Sequence, residues 1–461
     1  MKPIMKISPC ILLLLSSFAS LTSALTLTVG DKTSVCAATS LIVDGVLDYY
    51  QGTTYGGTIG LFKDPYYWWE AGEAFGGMID NWYFCENDTY EDLIYSALMN
   101  QRGSDKDYIP SNQSLTEGND DQSFWGFAVL EAMERNFTNP PSDQPGWLAL
   151  AQAVYNTIWA RWDTANCGGG LRWQIFTWNK GYDYKNTISN ASLFFIASRL
   201  ARYTSNDTYA QTAEEVYDWL TETSGFVVSS NDTTNAYTVY DGAGISGNCS
   251  DLSTGEWTYN YGILMAGCAY MYNHTSDTKW ETELEKYVNG ISIFYNTSNN
   301  NIIYERQCQQ SGSCTNDQRS FKSIFSRCLG QTAILAPQHQ SDIMKVIEAS
   351  AAGAAQSCSG GSDGHTCGLN WGYGGWDGWY GLGEQISALE IIQNTLVLQY
   401  DAPLTNETGG TSEGDTEAGL DTNDVTNVNE ITVSQKDKVS AAIVTTVTLV
   451  TFLGLSVWMV L

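Results

Sequence analysis

One pattern recurs along the chain and restricts its fold: a loop rich in glycine, aromatic residues and asparagine precedes an apolar segment of helical length. These apolar segments are residues 118–133, 191–203, 263–272, 324–336 and 379–400. Amphipathic segments lie between them, at residues 39–51, 147–165, 209–221 and 276–296. Helices that are apolar all round are buried, and amphipathic helices cover them. The pattern therefore predicts an all-α fold, an α/α barrel in which inner and outer helices alternate.

The loops that precede the inner helices would meet at one end of this barrel and build a cleft there. A small hairpin is predicted from two short β-prone runs, residues 226–228 and 237–240. No Pro/Ser-rich linker interrupts residues 25–400, so we predict that they form one domain.

Two adjacent carboxylates, Asp120 and Asp121, stand where a turn runs into one of the inner helices. Acidic residues in a first helical turn are often only helix-stabilising groups, since the free N–H groups there favour negative charge. Trp125 and the aromatic residues of the other loops favour a functional role for the two aspartates, because aromatic rings cover the flat C–H faces of sugars. Two carboxyl groups in an aromatic cleft are what glycosidic-bond chemistry requires.

The N-terminal residues 1–24 are typical of a secretory signal peptide, with basic residues, an apolar run and cleavage after Ala24. Removal of Cys10 leaves ten of the eleven cysteines, an even number that predicts disulfides in a secreted chain. Cys308 with Cys314 and Cys358 with Cys367 are plausible local loops, although spacing alone does not fix the pairing. Three histidines and no Cys-x-x-Cys motif argue against a metal site.

N-x-S/T sequons agree with secretion. We predict glycosylation at Asn87, Asn112, Asn136, Asn206, Asn231, Asn248, Asn273, Asn296 and Asn406. Asn190 also heads a sequon, but it lies beside the predicted active site, and we expect it to be silent.

The C-terminal part is polar, acidic and poor in aromatic residues over residues 401–438, which predicts a disordered stalk. Residues 439–461 form an uncharged apolar run with no basic residues behind it, unlike a transmembrane helix. A polar spacer and an apolar tail are typical of a GPI-attachment signal, with attachment at a small residue near Asn423 to Asn429 and removal of the tail. The sequence thus predicts a secreted protein held at the outer face of the plasma membrane or in the cell wall.

The formal net charge of −29 argues against nucleic acid and anionic membrane surfaces as partners and fits a neutral polysaccharide. We expect a monomer that needs no cofactor.

Six pieces of sequence, in this order, resemble glycoside hydrolase family 76, the endo-α-1,6-mannanases, and within it the fungal GPI-anchored Dfg5/Dcw1 group. They are residues 118–125, 167–173, 184–190, 258–262, 321–327 and 376–378. The resemblance implies an (α/α)6 barrel and a retaining mechanism with Asp120 as nucleophile and Asp121 as acid/base. For the fungal group it also implies transfer of the α-mannose core of GPI-anchored proteins to wall glucan.

Polar and aromatic residues of these pieces are the candidates for binding sugar, and each could instead cap a helix or order a loop. They are Asn119, Gln122, Trp125, Trp173, Lys185, Asn186, Asn190, Tyr259, Asn260, Phe321, Lys322, Trp376 and Asp377. Lys322 and Arg327 either pair with an acidic cluster or bind the phosphate of a GPI glycan. Trp173, Trp376 and Trp379 are expected to exclude water. Two rival interpretations remain: a purely hydrolytic endo-α-1,6-mannanase, and a mannan-binding wall protein without catalysis.

Overall fold

The computed structural model describes residues 25–230, 235–296, 300–420 and 435–460. Its first twelve helices follow one another with few strands between them. They are α1 (Lys32–Leu47), α2 (Trp68–Cys85), α3 (Glu91–Gln101), α4 (Asn119–Glu134), α5 (Trp147–Trp159), α6 (Thr187–Thr204), α7 (Asp207–Asp218), α8 (Thr258–Thr275), α9 (Thr278–Gly290), α10 (Asn316–Leu335), α11 (Gln340–Ser357) and α12 (Leu382–Gln393). A last helix, α13, spans Gln435–Val460.

The six even-numbered helices α2 to α12 form an inner ring. Each contacts the next even-numbered helix, and α12 contacts α2, so the ring closes. The odd-numbered helices α1 to α11 pack outside, each against an inner neighbour. This is an (α/α)6 barrel, and it confirms the predicted fold class.

Burial separates the two rings as the sequence pattern predicts. In inner helix α8, residues 258–271 are all buried. Outer helix α9 buries only Trp280, Leu284, Tyr287 and Gly290, which recur at the helical period. The sequence analysis missed α2, α3 and α11, and it began α12 too early. Gly381, with φ of +156°, ends the preceding loop, so α12 begins only at Leu382.

Short strands brace the loops at the open end of the barrel. The predicted hairpin is present, with β2 (Val227–Ser229) antiparallel to β3 (Tyr237–Val239). A three-stranded sheet that the sequence did not predict joins β1 (Tyr184–Asn186), β4 (Gly242–Gly244) and β5 (Leu252–Ser253) in that order. A further pair, β6 (Tyr295–Asn296) and β7 (Ile302–Ile303), is antiparallel. The three-stranded sheet matters most, because it holds Asn186 and Asp241 at the cleft.

Disulfides close four loops within the described residues, including both predicted local pairs. They are Cys36–Cys85, Cys167–Cys249, Cys308–Cys314 and Cys358–Cys367. Cys268 and Cys328 are reduced and buried in the inner helices.

Residues 401–420 lie on the surface of the barrel and are not the disordered stalk that the sequence predicts for them. We call residues 402–420 the strap. The backbone N–H of Leu404 donates to the Glu134 carbonyl, and the Asn156 side chain donates to the carbonyls of Thr416 and Ala418. The strap supplies hydrogen-bond partners that α4 and α5 would otherwise lack. The prediction of disorder was wrong for residues 402–420 because the polar residues of the strap find partners on the barrel.

Two predicted segments lie largely outside the described residues: the signal peptide at 1–24 and the stretch 421–434 that contains the proposed GPI attachment site. Within the described part of the chain, no helix combines the length and apolarity needed to cross a membrane.

The interior of the barrel contains a buried ionic layer as well as apolar side chains. Arg199 pairs with Glu131 and Glu134, at 2.9 and 2.8 Å. Arg327 lies 2.9 Å from Glu73 and 2.5 Å from Glu390. Arg327 therefore follows the first of its two predicted alternatives and pairs with an acidic cluster.

Candidate active site

A cleft of about 620 Å³ opens at the end of the barrel where the inner helices begin. The first turns of α4 and α10, together with Tyr259 of α8, form its floor and walls. The N-termini of helices carry partial positive charge, so this end of the barrel favours carboxylates. The cleft contains four: Asp120, Asp121, Asp241 and Asp317.

Asp120 and Asp121 are in the first turn of α4, at the cleft floor. Asp120 Oδ2 accepts a hydrogen bond from the Trp173 indole at 3.0 Å. Asp120 Oδ1 is buried and has no hydrogen-bond partner among the described residues. Asp121 Oδ2 accepts from the Gly118 N–H at 2.6 Å and so satisfies the backbone of the N-cap residue. One oxygen of Asp120 is therefore fixed and the other is unengaged.

Gly118 lets the two carboxyl groups approach the turn. A Cβ at this position would lie 2.4 Å from Asp120 Oδ1 and 2.9 Å from the Trp173 carbonyl oxygen. Both distances are too short for any side chain, so glycine is required by close approach and not by its φ of −104°.

The two carboxyl groups differ in their proton affinity. Burial raises the pKa of Asp120 to about 7, while backbone N–H groups of the first turn and the Trp173 indole act in the opposite direction. Burial, and next the charge of Asp120, raise the pKa of Asp121 well above its usual range. Asp121 therefore holds its proton more tightly, and Asp120 is the first of the pair to ionise.

Asp317 and Asp241 are cleft residues that the sequence analysis missed. Asp317 accepts a hydrogen bond from the Trp69 indole at 3.0 Å, and its charge raises the pKa of both Asp120 and Asp121. Thr315 and Gln318 form a capping box around it, a signal readable in the sequence. Asp241 accepts from the Tyr184 hydroxyl at 2.7 Å.

Aromatic rings line the cleft, as the loop composition predicted. Tyr259 and Phe321 stack with ring centroids 3.8 Å apart, and Trp257 meets Phe321 edge-on. Trp69 and Trp173 reach the cleft beside the carboxylates. These flat apolar surfaces next to carboxylates suit a sugar, which combines C–H faces with hydroxyl groups.

Of the predicted binding residues, Trp173, Asn186, Tyr259 and Phe321 come together in the cleft with both aspartates. Asn186 caps α6, where its side chain accepts from the Ser189 N–H at 3.3 Å. Asn186 therefore caps α6 and also lines the cleft.

Asn119, Gln122 and Trp125 flank the aspartates but do not line the cleft. The Arg161 Nε donates to Asn119 Oδ1 at 2.8 Å, and Nη2 of the same guanidinium donates to Gln122 Oε1. Trp125 is buried in the core, where its indole donates to the Trp68 carbonyl. Their positions indicate support of the helix start and not contact with substrate.

Lys185 and Asn190 are buried behind the cleft, which corrects their assignment to sugar binding. Lys185 Nζ donates to the carbonyls of Asp163, Asn166 and Gly169, so it orders the loop that contains the three consecutive glycines 168–170. Asn190 exchanges hydrogen bonds with both backbone groups of Leu171. Local backbone groups, both carbonyls and the Leu171 N–H, satisfy the two side chains.

Asn260, Lys322, Trp376 and Asp377 also lie away from the cleft lining. Asn260 is buried, and its amide group has no partner within the described ranges. Lys322 Nζ donates to the Leu369 carbonyl and lies 3.9 Å from the centre of the Trp371 ring. Trp376 and Asp377 belong to the loop before α12, where Asp377 accepts from the N–H groups of Asn370 and Trp379. Neither Lys322 nor Arg327 is free to bind phosphate.

The asparagines of the sequons differ in their exposure to solvent. Asn112, Asn248, Asn273 and Asn406 are exposed, whereas Asn190 is fully buried and cannot carry a glycan in the folded protein. Asn87, Asn136 and Asn206 are half-buried. Asn231 and the side chain of Asn296 are outside the described residues. Occupancy at the exposed positions remains a prediction.

No cluster of three or more His, Cys, Asp or Glu side chains suited to a metal ion occurs among the residues that the structure describes.

Comparison with known proteins places this geometry in a family context. Residues 34–407 match the model of glycosyl hydrolase family 76. The chain is 56 % identical over 447 residues to the mannan endo-1,6-alpha-mannosidase DFG5 of Saccharomyces cerevisiae, covering 96 % of each chain. It is 51 % identical to DFG5 of Candida albicans, covering 96 % of this chain and 97 % of that one.

Solved structures of other proteins also match the fold of this chain. The crystal structure of Dfg5 from Chaetomium thermophilum in complex with glucosamine matches with a TM-score of 0.80 at 36 % identity, over 85 % of this chain and 97 % of that chain. An inactive variant of an α-1,6-mannanase from Salegentibacter, with two consecutive aspartates replaced by asparagine, was solved with α-1,6-mannotriose. It matches with a TM-score of 0.62 over 79 % of this chain and all of that chain, and at 16 % identity this likeness concerns the fold alone.

Proposed function

This chain belongs to glycosyl hydrolase family 76, among the mannan endo-1,6-α-mannosidases, and from that premise we propose a retaining mechanism with Asp120 as nucleophile and Asp121 as acid/base. The observation that carries the assignment is the unequal environment of two adjacent carboxyl groups at the floor of one aromatic cleft.

In the first step Asp120 Oδ1 attacks the anomeric carbon while Asp121 gives its proton to the leaving glycosidic oxygen. The Trp173 indole holds the other oxygen of Asp120 and so fixes the direction of attack. Asp121 is suited to the acid role because its pKa is raised well above that of an ordinary aspartate. In the second step Asp121, now ionised, takes a proton from the incoming hydroxyl, which releases the sugar from Asp120.

Substrate binding is proposed to rest on the residues that line the cleft. Tyr259, Phe321 and Trp257 offer faces for sugar rings, and Asn186 and Asp317 offer hydrogen-bonding groups for hydroxyls. Several S. cerevisiae and C. albicans relatives are named as mannan endo-1,6-alpha-mannosidases, so an α-1,6-linked mannose chain is the expected donor.

The finer proposal is that the enzyme transfers as well as hydrolyses. The donor would be the α-mannose core of a GPI glycan and the acceptor wall glucan. Transfer requires that an acceptor hydroxyl reach the glycosyl-Asp120 intermediate before water does, and the aromatic cleft walls favour a bound sugar over free water.

Product analysis with a labelled α-1,6-mannoside tests this step. We expect that added oligosaccharide acceptor diverts part of the label into a longer product, measured by mass spectrometry. Free reducing sugar as the only product, across mannan and glucan acceptors, would leave simple hydrolysis as the function.

The rival interpretation, a mannan-binding protein without catalysis, is tested at the aspartates themselves. Asp120→Asn and Asp121→Asn should each lower turnover by a factor on the order of 10² or more with unchanged melting. Both isosteric variants keep the size of the side chain, so an effect on turnover alone separates catalysis from folding. Wild-type activity in either variant, with unchanged melting, would rule out the assignment.

Location is also a proposal. We infer secretion and a GPI anchor from the sequence of residues 1–24 and 401–461. Release from cells by phosphatidylinositol-specific phospholipase C, and secretion of a chain that lacks residues 439–461, are the expected results. Retention of the truncated chain on membranes would contradict the anchor.

A further inference from the structure

The loop that precedes α12 carries four solvent-exposed aromatic side chains that the cleft does not use. They are Tyr373, Trp376, Trp379 and Tyr380, which we call the aromatic platform. Tyr373 is 65 % exposed and Tyr380 60 %, so neither serves the core. Between them, Gly374, Gly375 and Gly378 have open space where a side chain would lie. Exposed aromatic rings and glycines therefore alternate along this part of the protein surface.

Hydrogen bonds fix the backbone of the platform in spite of its glycine content. The Asp377 carboxylate accepts hydrogen bonds from the N–H groups of Leu369, Asn370 and Trp379, at 3.3, 2.7 and 3.1 Å. The Trp376 ring lies over Gly360, where a Cβ would come within 2.4 Å of it, and its indole donates to the Trp379 carbonyl. The Trp376 ring is therefore held before a ligand arrives, and a side chain that is fixed before binding loses little entropy.

The platform borders the cleft. The loop enters an inner helix, so it lies at the same end of the barrel as the other loops that precede inner helices. Arg319 connects the two surfaces: it follows the cleft residues Asp317 and Gln318, donates to the Tyr380 carbonyl at 3.2 Å, and lies 5.5 Å from the Trp379 ring.

The chemistry of the platform points to a neutral sugar chain. None of its four side chains is charged, and a protein with a formal net charge of −29 repels polyanions. Aromatic faces stack on the C–H faces of pyranose rings, while the tyrosine hydroxyls remain available for sugar hydroxyls.

We propose that the aromatic platform binds the outer mannose units of the same α-1,6-mannan chain whose cleaved linkage occupies the cleft. This inference rests on the proposed function for the identity of the donor. It adds an extended binding surface, which makes a long chain a better substrate than a short one.

The double variant Tyr373→Ala/Tyr380→Ala tests the platform, because both side chains are exposed and their loss leaves the contacts of Asp377 and Trp376 in place. We expect KM for unbranched α-1,6-mannan to rise about tenfold, a change that corresponds to about 1.4 kcal/mol, with kcat unchanged. KM for α-1,6-mannotriose, which is too short to span both surfaces, should be unaffected. Leu41→Ala, an exposed apolar side chain on outer helix α1, is the control. Equal changes for polymer and trisaccharide, or none for the polymer, would overturn the proposal.

A binding assay separates failure of the platform from failure of the proposed function. Retention of wild type and of the double variant on insoluble α-1,6-mannan is measured without turnover, in an Asp120→Asn background. Weaker retention of the double variant supports the platform even if no cleavage is ever detected. Equal retention overturns it, as does a loss of binding that is seen with insoluble β-glucan but not with mannan.

Discussion

Asp120 and Asp121 are neighbours in the sequence but occupy different electrostatic environments. The side chain of Asp120 accepts from the Trp173 indole, and that of Asp121 accepts from the Gly118 N–H. Their charges also interact with Asp317, which stands across the cleft on α10. Burial is the main cause of the raised pKa values of the pair, and charge interactions among three carboxyl groups from two inner helices add to it.

Replacement of Asp317 by asparagine should shift the pH dependence of catalysis. Loss of a nearby negative charge lowers the pKa of both Asp120 and Asp121, so the optimum of kcat/KM should move to lower pH. Asparagine retains the oxygen that accepts from the Trp69 indole. Asp241→Asn is the matched control, a cleft carboxylate whose loss should shift the profile less. An unmoved optimum in Asp317→Asn would show that Asp317 does not act on the pair.

Arg161 is a positioning residue, because it reaches the aspartates only through Asn119 and Gln122. Arg161→Met should lower kcat roughly ten- to hundredfold with a smaller effect on KM, since displaced catalytic groups lose most of their advantage. Arg161→Lys should restore part of kcat by keeping one hydrogen bond. Parallel losses of kcat and melting temperature in both variants would indicate a purely structural role.

The sequence predicted the position of the two adjacent aspartates in the cleft but only part of the residues around them. Trp173, Asn186, Tyr259 and Phe321 were correctly placed at the cleft because aromatic and asparagine residues cluster in the loops before inner helices. Lys185 and Asn190 were misassigned, since both bind backbone groups of residues 163–171, which no side-chain pattern reveals. Asp241 could not be predicted, because the sheet that brings it to the cleft pairs strands far apart in the sequence.

At the scale of elements, the apolar period predicted most inner helices and missed α2. That helix buries Glu73 and Asp80, which are matched by Arg327 of α10 and by Arg135 at the end of α4. The sequence of one helix does not reveal which residues of other helices pair with its charged side chains. Members of buried ion pairs therefore look like surface residues in the sequence. The strap was mispredicted for a similar reason: its polar residues gain partners that become visible only when the barrel is formed.

The strap has a specific function at α5, whose N-cap, Gly146, has no side chain. Ser412 supplies the missing group: its hydroxyl accepts from the Leu148 N–H at 2.9 Å. Ser412→Ala should therefore lower the free energy of unfolding by about 1 kcal/mol, as for the loss of an ordinary N-cap. Thr416→Ala is the control, because Thr416 contacts Asn156 through its carbonyl only. Equal midpoints of urea unfolding for the two variants would contradict the capping role.

At the scale of the whole molecule, several buried carboxyl groups keep their protons near neutral pH. Burial raises the pKa of Glu70 and of Glu305 to about 8, well above the values of exposed glutamates. Their contribution to stability is complete below the unfolded-state pKa and is lost as pH rises through about 8. Lys322 and Lys185 act in the opposite direction, since burial lowers their pKa values to about 7 and about 8, but they are outnumbered by the buried carboxyl groups.

The folded protein should consequently bind more protons than the unfolded chain at neutral pH. We expect the melting temperature to be higher at pH 5 than at pH 8, measured by calorimetry in buffers of equal ionic strength. Glu305→Gln should flatten this dependence, because glutamine mimics the protonated side chain at every pH. A protein that melts later at pH 8 than at pH 5 would refute this description of the buried groups.

The central claim is that Asp120 forms a covalent bond with the sugar during turnover. A fluorinated mannosyl donor with a good leaving group, which slows the second step, should label the protein once, and mass spectrometry of peptides should place the mannosyl group on Asp120. Asp121→Asn should still be labelled, since the activated leaving group needs no acid, whereas Asp120→Asn should not. A label on Asp121 or Asp317, or a product of inverted anomeric configuration without any label, would contradict the account.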